Sequence, residues 1–95
     1  MGGRREKRNS ARLQVLVSNL AQPWLTEQVS TENITSYGMR VQTERPWEPG
    51  TIVLIKSFQD ELRARARVVY CKALQRRTFG LGLEFLARTN AKITK

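Results

Sequence analysis

Cationic side chains crowd the start of the chain. Arg4, Arg5, Lys7, Arg8 and Arg12 stand against a single acid, Glu6, so residues 1–12 carry a net charge of 5 − 1 = +4. Apart from Met1 and Ala11 the stretch has no apolar residue, and it reads as a flexible basic arm. A guanidinium is a planar fork of donors that suits phosphate oxygens or the acceptor edge of a base, whereas lysine supplies only charge. A second polar cluster, Asn33-Ile34-Thr35-Ser36-Tyr37-Gly38, sets an amide and a hydroxyl beside a glycine. Glycine takes positive φ without steric cost, so this segment reads as a turn or bulge. In its plainest form it is only a tight turn, with the Asn and Thr side chains capping backbone donors.

Other chemistry is excluded by what the chain lacks. Its 95 residues contain no histidine and one cysteine, Cys71, which rules out an intrachain disulfide, a multi-cysteine metal site and Ser-His or Cys-His catalysis. Nothing pairs a nucleophile with a base or a metal site, so no enzyme and no cofactor is expected, and Cys71 reads as a packing residue at a strand end. With 17 Lys plus Arg against 8 Asp plus Glu, the net charge is +9. That balance favours a polyanionic partner, whether a nucleotide, a nucleic acid or an acidic membrane, and does not choose among them. No apolar run approaches the roughly 20 residues that span a bilayer, and no hydrophobic stretch follows the charged start as in a signal peptide. A soluble cytoplasmic protein is expected, of undetermined oligomeric state.

The elements that must position these groups read as strands. The length suits one domain. Leu13, Val15 and Val17 alternate with Gln14, Leu16 and Ser18, then Asn19 to Trp24, with Pro23, break the pattern. Thr26 to Ile34 alternates weakly and is rich in Thr and Val. Met39 to Thr43 puts Met39 and Val41 on one face, and Arg45-Pro46-Trp47-Glu48-Pro49-Gly50 is a loop. Thr51 to Ile55 is a short apolar strand. Glu61 to Tyr70 alternates cleanly, with Leu62, Ala64, Ala66, Val68 and Tyr70 inward and Arg63, Arg65 and Arg67 outward. Thr78 to Phe85 places Phe79, Leu81, Leu83 and Phe85 inward, with Gly80 and Gly82 marking a bend or a close neighbouring backbone. Beyond Leu86 the polar basic tail shows no period and reads as a short helix or as disordered. Six short strands without a long helix make an all-β antiparallel barrel, since closure removes exposed edges. The expected organisation is an arm over 1–12, a barrel over 13–87 and a basic tail over 88–95. Trp24 and Trp47, next to prolines, are expected to cap the barrel ends.

The two polar clusters fall in a telling order. Arg4-Arg5-Glu6-Lys7-Arg8 contains Arg-x-x-x-Arg and Asn33-Ile34-Thr35-Ser36-Tyr37-Gly38 contains Asn-x-Thr-x-x-Gly, with 24 residues between Arg8 and Asn33. Together with Gly38-Met39-Arg40-Val41, Pro49-Gly50, Arg65-Ala66-Arg67-Val68-Val69-Tyr70 and Gly80-Leu81-Gly82-Leu83-Glu84-Phe85, this resembles the PilZ domain family over residues 4 to 86. The resemblance implies a six-stranded PilZ-type barrel that binds cyclic diguanylate and signals to a downstream protein by ordering its arm. It assigns Arg4 and Arg8 to phosphates and guanine faces, Arg5 to a further anion contact, and Asn33, Thr35 and Gly38 to the barrel side of the site. Arg12 enters if the motif shifts to Arg8-Asn9-Ser10-Ala11-Arg12. Arg76, Arg77 and Phe79 lie where some relatives place a group that stacks on the ligand. The sequence departs from the commoner pattern at Asn33, where a carboxylate would accept both guanine donors, at Thr35 in place of Ser, and at Gly3, where many binders carry another arginine.

Two other functions remain open on the residues alone. The Asn33 and Thr35 departures also suit a degenerate PilZ domain that no longer binds the nucleotide and serves as an adaptor in motility or pilus machinery. The charge of +9 and the arginine stripe suit a nucleic-acid-binding barrel, although no aromatic pair is interleaved with the basic residues to stack bases.

Overall fold

Strands with one apolar face must bury it, and their edges must pair or be covered. This chain meets both demands by closing its sheet. The computed structural model describes residues 13–58 and 62–90. Its elements are β1 (Gln14–Asn19), β2 (Thr26–Ile34), β3 (Gly38–Thr43), β4 (Ile52–Ser57), β5 (Leu62–Ala73) and β6 (Phe79–Asn90). All pairings are antiparallel, in the order β1-β2-β3-β6-β5-β4, and β1 pairs with β4 to complete a closed barrel. The all-β six-stranded architecture read from the sequence is the one the chain adopts. The basic arm over residues 1–12 lies outside the described residues.

The interior is aliphatic. Val15, Val17, Val41, Val53, Ile55, Ala66, Val68 and Leu81 are almost wholly buried, and Val29, Met39, Leu62 and Leu83 complete the core around them. Each fully buried Val, Ile, Leu or Met side chain contributes about 1.5–3 kcal/mol. Trp47 is buried at one end, its indole N–H donating to Glu27 Oε1 at 3.0 Å, so it caps the barrel as expected. Trp24 does not. It is 75% exposed, in the β1–β2 connection whose 20–22 segment is held in a local turn by the Asn19 side chain accepting from the Ala21 and Gln22 N–H groups.

Three bulges interrupt the ladders, and each changes which face a side chain reaches. In β2 the register slips between Thr31 and Asn33, leaving Glu32 unmatched. In the β5–β6 ladder it slips between Val68 and Tyr70, leaving Val69 unmatched. A further slip between Arg65 and Ala66 leaves Leu86 as the extra residue of β6. The second corrects the sequence reading, in which Tyr70 pointed inward after Val68. With Val69 inserted, Tyr70 turns outward opposite Gly82, and Cys71 instead packs partly against the core beside Leu81.

Residues 91–95 lie outside the described residues, but strand β6 continues to Asn90, past the expected boundary at residue 87, so residues 88–90 are strand where a helix or disorder was expected. The long β5 offers backbone partners there, with Ala64 opposite Arg88 and Leu62 opposite Asn90, and ladder hydrogen bonds need no apolar period.

Gly38 is required for a reason other than turn conformation. Its φ is not positive, and Gly50 alone among the described glycines takes that region. A Cβ on Gly38 would lie 2.0 Å from the Leu83 carbonyl oxygen, a backbone atom that cannot swing away. We therefore expect Gly38→Ala to lower stability by about 1–3 kcal/mol or more in a denaturant titration, the range of overpacking. Arg77, at the tip of the β5–β6 hairpin, has φ 61°. Arg77→Gly should raise stability by about 0.5–1 kcal/mol, since the left-handed conformation costs an L-residue more than glycine loses in chain entropy.

Candidate functional site

Strand parity decides what the outer wall offers. Val29 and Thr31 point inward from β2, and without the Glu32 bulge Asn33 would follow them into the core. The inserted residue turns Asn33 outward and returns Ile34 to the interior side, opposite Met39. Asn33 then begins a row that crosses four strands. It lies opposite Arg40 of β3, Arg40 opposite Gly82 of β6, and Gly82 opposite Tyr70 of β5. The next row brings Gly38 of β3, Glu84 of β6 and Arg67 of β5 into line.

These rows border an open cleft of ≈ 450 Å³ whose lining includes Asn33, Thr35, Tyr37, Arg40, Tyr70 and Gly82. Gly82 supplies no side chain of its own. The Tyr70 ring lies across it, 2.2 Å from where a Cβ would stand, so an aromatic face replaces the missing side chain. Tyr37 is 82% exposed and stands at the rim.

The turn from Thr35 to Tyr37 is held from three sides. The Thr35 hydroxyl accepts from the Tyr37 and Gly38 N–H groups at 3.1 and 3.3 Å, and the Thr35 N–H donates to the Gly38 carbonyl at 2.8 Å. The Phe85 N–H donates to the Tyr37 carbonyl at 2.8 Å. Arg88 donates from Nη1 to the Thr35 carbonyl at 3.3 Å while its guanidinium sits 5.1 Å from the Phe85 ring centroid. The capping function anticipated for the Asn and Thr side chains is thus carried by Thr35. Asn33 makes no side-chain hydrogen bond among the described residues and presents its whole amide to the cleft.

The electrostatics favour an anion. Glu84 is the one carboxylate lining the cleft, and it is engaged by Arg67 at 3.0 Å. Both partners are about half exposed, so the pair contributes at most about 1 kcal/mol, but it masks the negative charge. Arg40 makes no ion pair among the described residues. The chain enters the barrel next to this cleft: the Leu13 N–H donates to the Thr31 hydroxyl at 3.0 Å and the Thr31 N–H to the Leu13 carbonyl at 2.9 Å. Thr31 is buried, so this double contact fixes the origin of the arm two residues from Asn33 on the neighbouring strand.

Of the residues singled out from the sequence, Asn33, Thr35 and Gly38 converge on one cleft. Arg4, Arg5, Arg8 and Arg12 fall outside the described residues. Arg77 sits on the hairpin beyond Ala73 and does not line the cleft. Sequence reasoning missed Arg40 and Tyr70, because their relation to Asn33 is a matter of register across β2, β3, β6 and β5. The signal that was present is Gly82, an outward glycine that leaves room for a cross-strand ring. No group of His, Cys, Asp and Glu among the described residues is placed to hold a metal ion. Compared with known proteins, the chain matches no family model, no curated protein and no solved structure.

Thr35→Ala removes the acceptor for two backbone donors and should cost about 1 kcal/mol, whereas Thr35→Ser should be close to neutral. Urea titrations of the two variants measure the difference.

Proposed function

We propose that the cleft and the arginine arm together form a receptor site for cyclic diguanylate on a PilZ-type barrel, and that the protein signals by ordering the arm on the ligand. The observation that carries this reading is the orientation of Asn33, turned out of the core by a bulge and without a side-chain partner among the described residues, beside the point where the chain enters the barrel. Its oxygen can accept from a guanine N–H and its amino group can donate to O6.

The surroundings support the same ligand. A cyclic dinucleotide is a dianion with two flat purines. Arg40, with no ion pair among the described residues, offers its guanidinium fork at the cleft, Tyr70 and Tyr37 offer aromatic faces, and Glu84 is masked by Arg67. An extended chain advances at most about 3.6 Å per residue, so Arg8, five residues before Leu13, has a reach of up to about 18 Å. Ordering the arm subtracts from affinity, which suits a reversible receptor of a messenger. Thr35 contributes by shaping the turn, and its substitution for Ser keeps that hydroxyl geometry.

Calorimetric titration of the full chain with cyclic diguanylate should give saturable binding that weakens as salt rises. Asn33→Ala should weaken it about tenfold, the loss of two hydrogen bonds of about 0.5–1.5 kcal/mol each. Arg8→Ala should weaken it about 10- to 100-fold, as expected for charge-assisted bonds of about 1.5–3 kcal/mol. Asn33→Asp should tighten it, because a carboxylate accepts both guanine donors. The absence of both binding heat and thermal stabilisation at high ligand concentration would overturn the proposal.

A further inference from the structure

A second groove lies on the wall made by β1, β4 and β5. It has a volume of ≈ 500 Å³, and its lining includes Leu16, Leu54, Lys56, Arg63, Arg65 and Ala87. The register sets these in two rows. Leu16 lies opposite Lys56 and Lys56 opposite Arg63; Leu54 lies opposite Arg65 and Arg65 opposite Ala87. Arg63 and Arg65 are therefore not a plain solvated stripe, because an exposed Leu54 and a half-buried Leu16 lie on the outer wall beside them. Leu54 is 44% exposed, and with Leu16 it gives the groove between the cations an apolar floor.

The chemistry of the groove narrows its occupant. Among the described residues no carboxylate lines it, and Lys56, Arg63 and Arg65 form no ion pair. The arm over residues 1–12, at +4, and the terminal Lys92 and Lys95 are repelled by such a rim. A second copy docking through the same face would set cation against cation. A lipid surface is a poor match because the apolar atoms lie in a concavity between cations, whereas insertion into a bilayer requires them to protrude. The geometry points to a protein partner that inserts one large apolar side chain between carboxylates: a short acidic segment whose Asp or Glu residues meet Lys56, Arg63 and Arg65. This inference is independent of the nucleotide reading, since the two clefts share no lining residue.

A random peptide library displayed on phage and selected against the full chain tests it. The expected result is enrichment of sequences with Asp or Glu flanking Leu, Ile, Met or Phe. The corresponding synthetic peptides should shift the amide NMR signals of Leu16, Leu54, Lys56, Arg63 and Arg65 and bind at least tenfold more weakly to Arg63→Glu/Arg65→Glu. Leu54→Ser, which removes apolar surface and keeps the charge, should weaken binding as well, with both variants checked by their NMR spectra for an intact barrel. Selected peptides without acidic residues, shifts confined to another face, or unchanged binding to both variants overturns the proposal. So does cosedimentation with phosphatidylserine-containing vesicles that the Arg63→Glu/Arg65→Glu variant loses, if no acidic peptide binds that face.

Discussion

A strand delivers alternate side chains to opposite faces, and in a closed barrel that parity commits each residue to the core or to the outer wall. The organisation of this protein depends on that commitment and on the bulges that reverse it. Without the extra residue at Glu32, the amide of Asn33 would be driven toward a core of valines and leucines, where an unpaired polar group is costly. Without the one at Val69, Tyr70 would follow Val68 inward and Gly82 would lie bare. Both insertions place polar or aromatic groups on one patch of wall while the core-facing aliphatic residues of the same strands stay buried; Val69, the inserted residue, is itself exposed.

Closure by the β1–β4 pairing has a second consequence. None of the described strands is left at an edge, so the barrel wall offers outward side chains rather than unpaired backbone. The outward residues are strongly cationic, in keeping with the net charge of +9. Arrangement divides the two clefts more than charge does. One has a free amide, aromatic rings and a masked acid, which suits a small flat anion. The other has aliphatic side chains framed by cations, which suits a folded or extended acidic segment.

Strand β5 contributes to both. Its Arg65 lies opposite Leu54 and its Arg63 opposite Lys56 of β4, while Arg67 and Tyr70 lie opposite Glu84 and Gly82 of β6 at the other cleft. The strand pairs over nearly its full length with β6, which in turn ties the Thr35–Tyr37 turn through Phe85 and Arg88. The proposed nucleotide cleft and the proposed docking groove are thus walls of one continuous hydrogen-bonded sheet.

The amino-acid sequence by itself determined the number of strands, most of their inward residues and the absence of histidine or multi-cysteine chemistry, because alternation and composition are local properties. The run from Leu62 to Val68 and the pair Leu81 and Leu83 are inward as their spacing implies. Asn33, Thr35 and Gly38 were also legible as one polar turn. Only the tertiary structure decided that Gly38 answers to the Leu83 carbonyl across the sheet, that Tyr70 faces out, and that Arg40 stands beside Asn33. It also decided that Trp24 projects from the barrel while Trp47 seals it. Each of these depends on which residue of one strand lies opposite which residue of another. A one-residue bulge changes that pairing while leaving the local sequence pattern almost untouched.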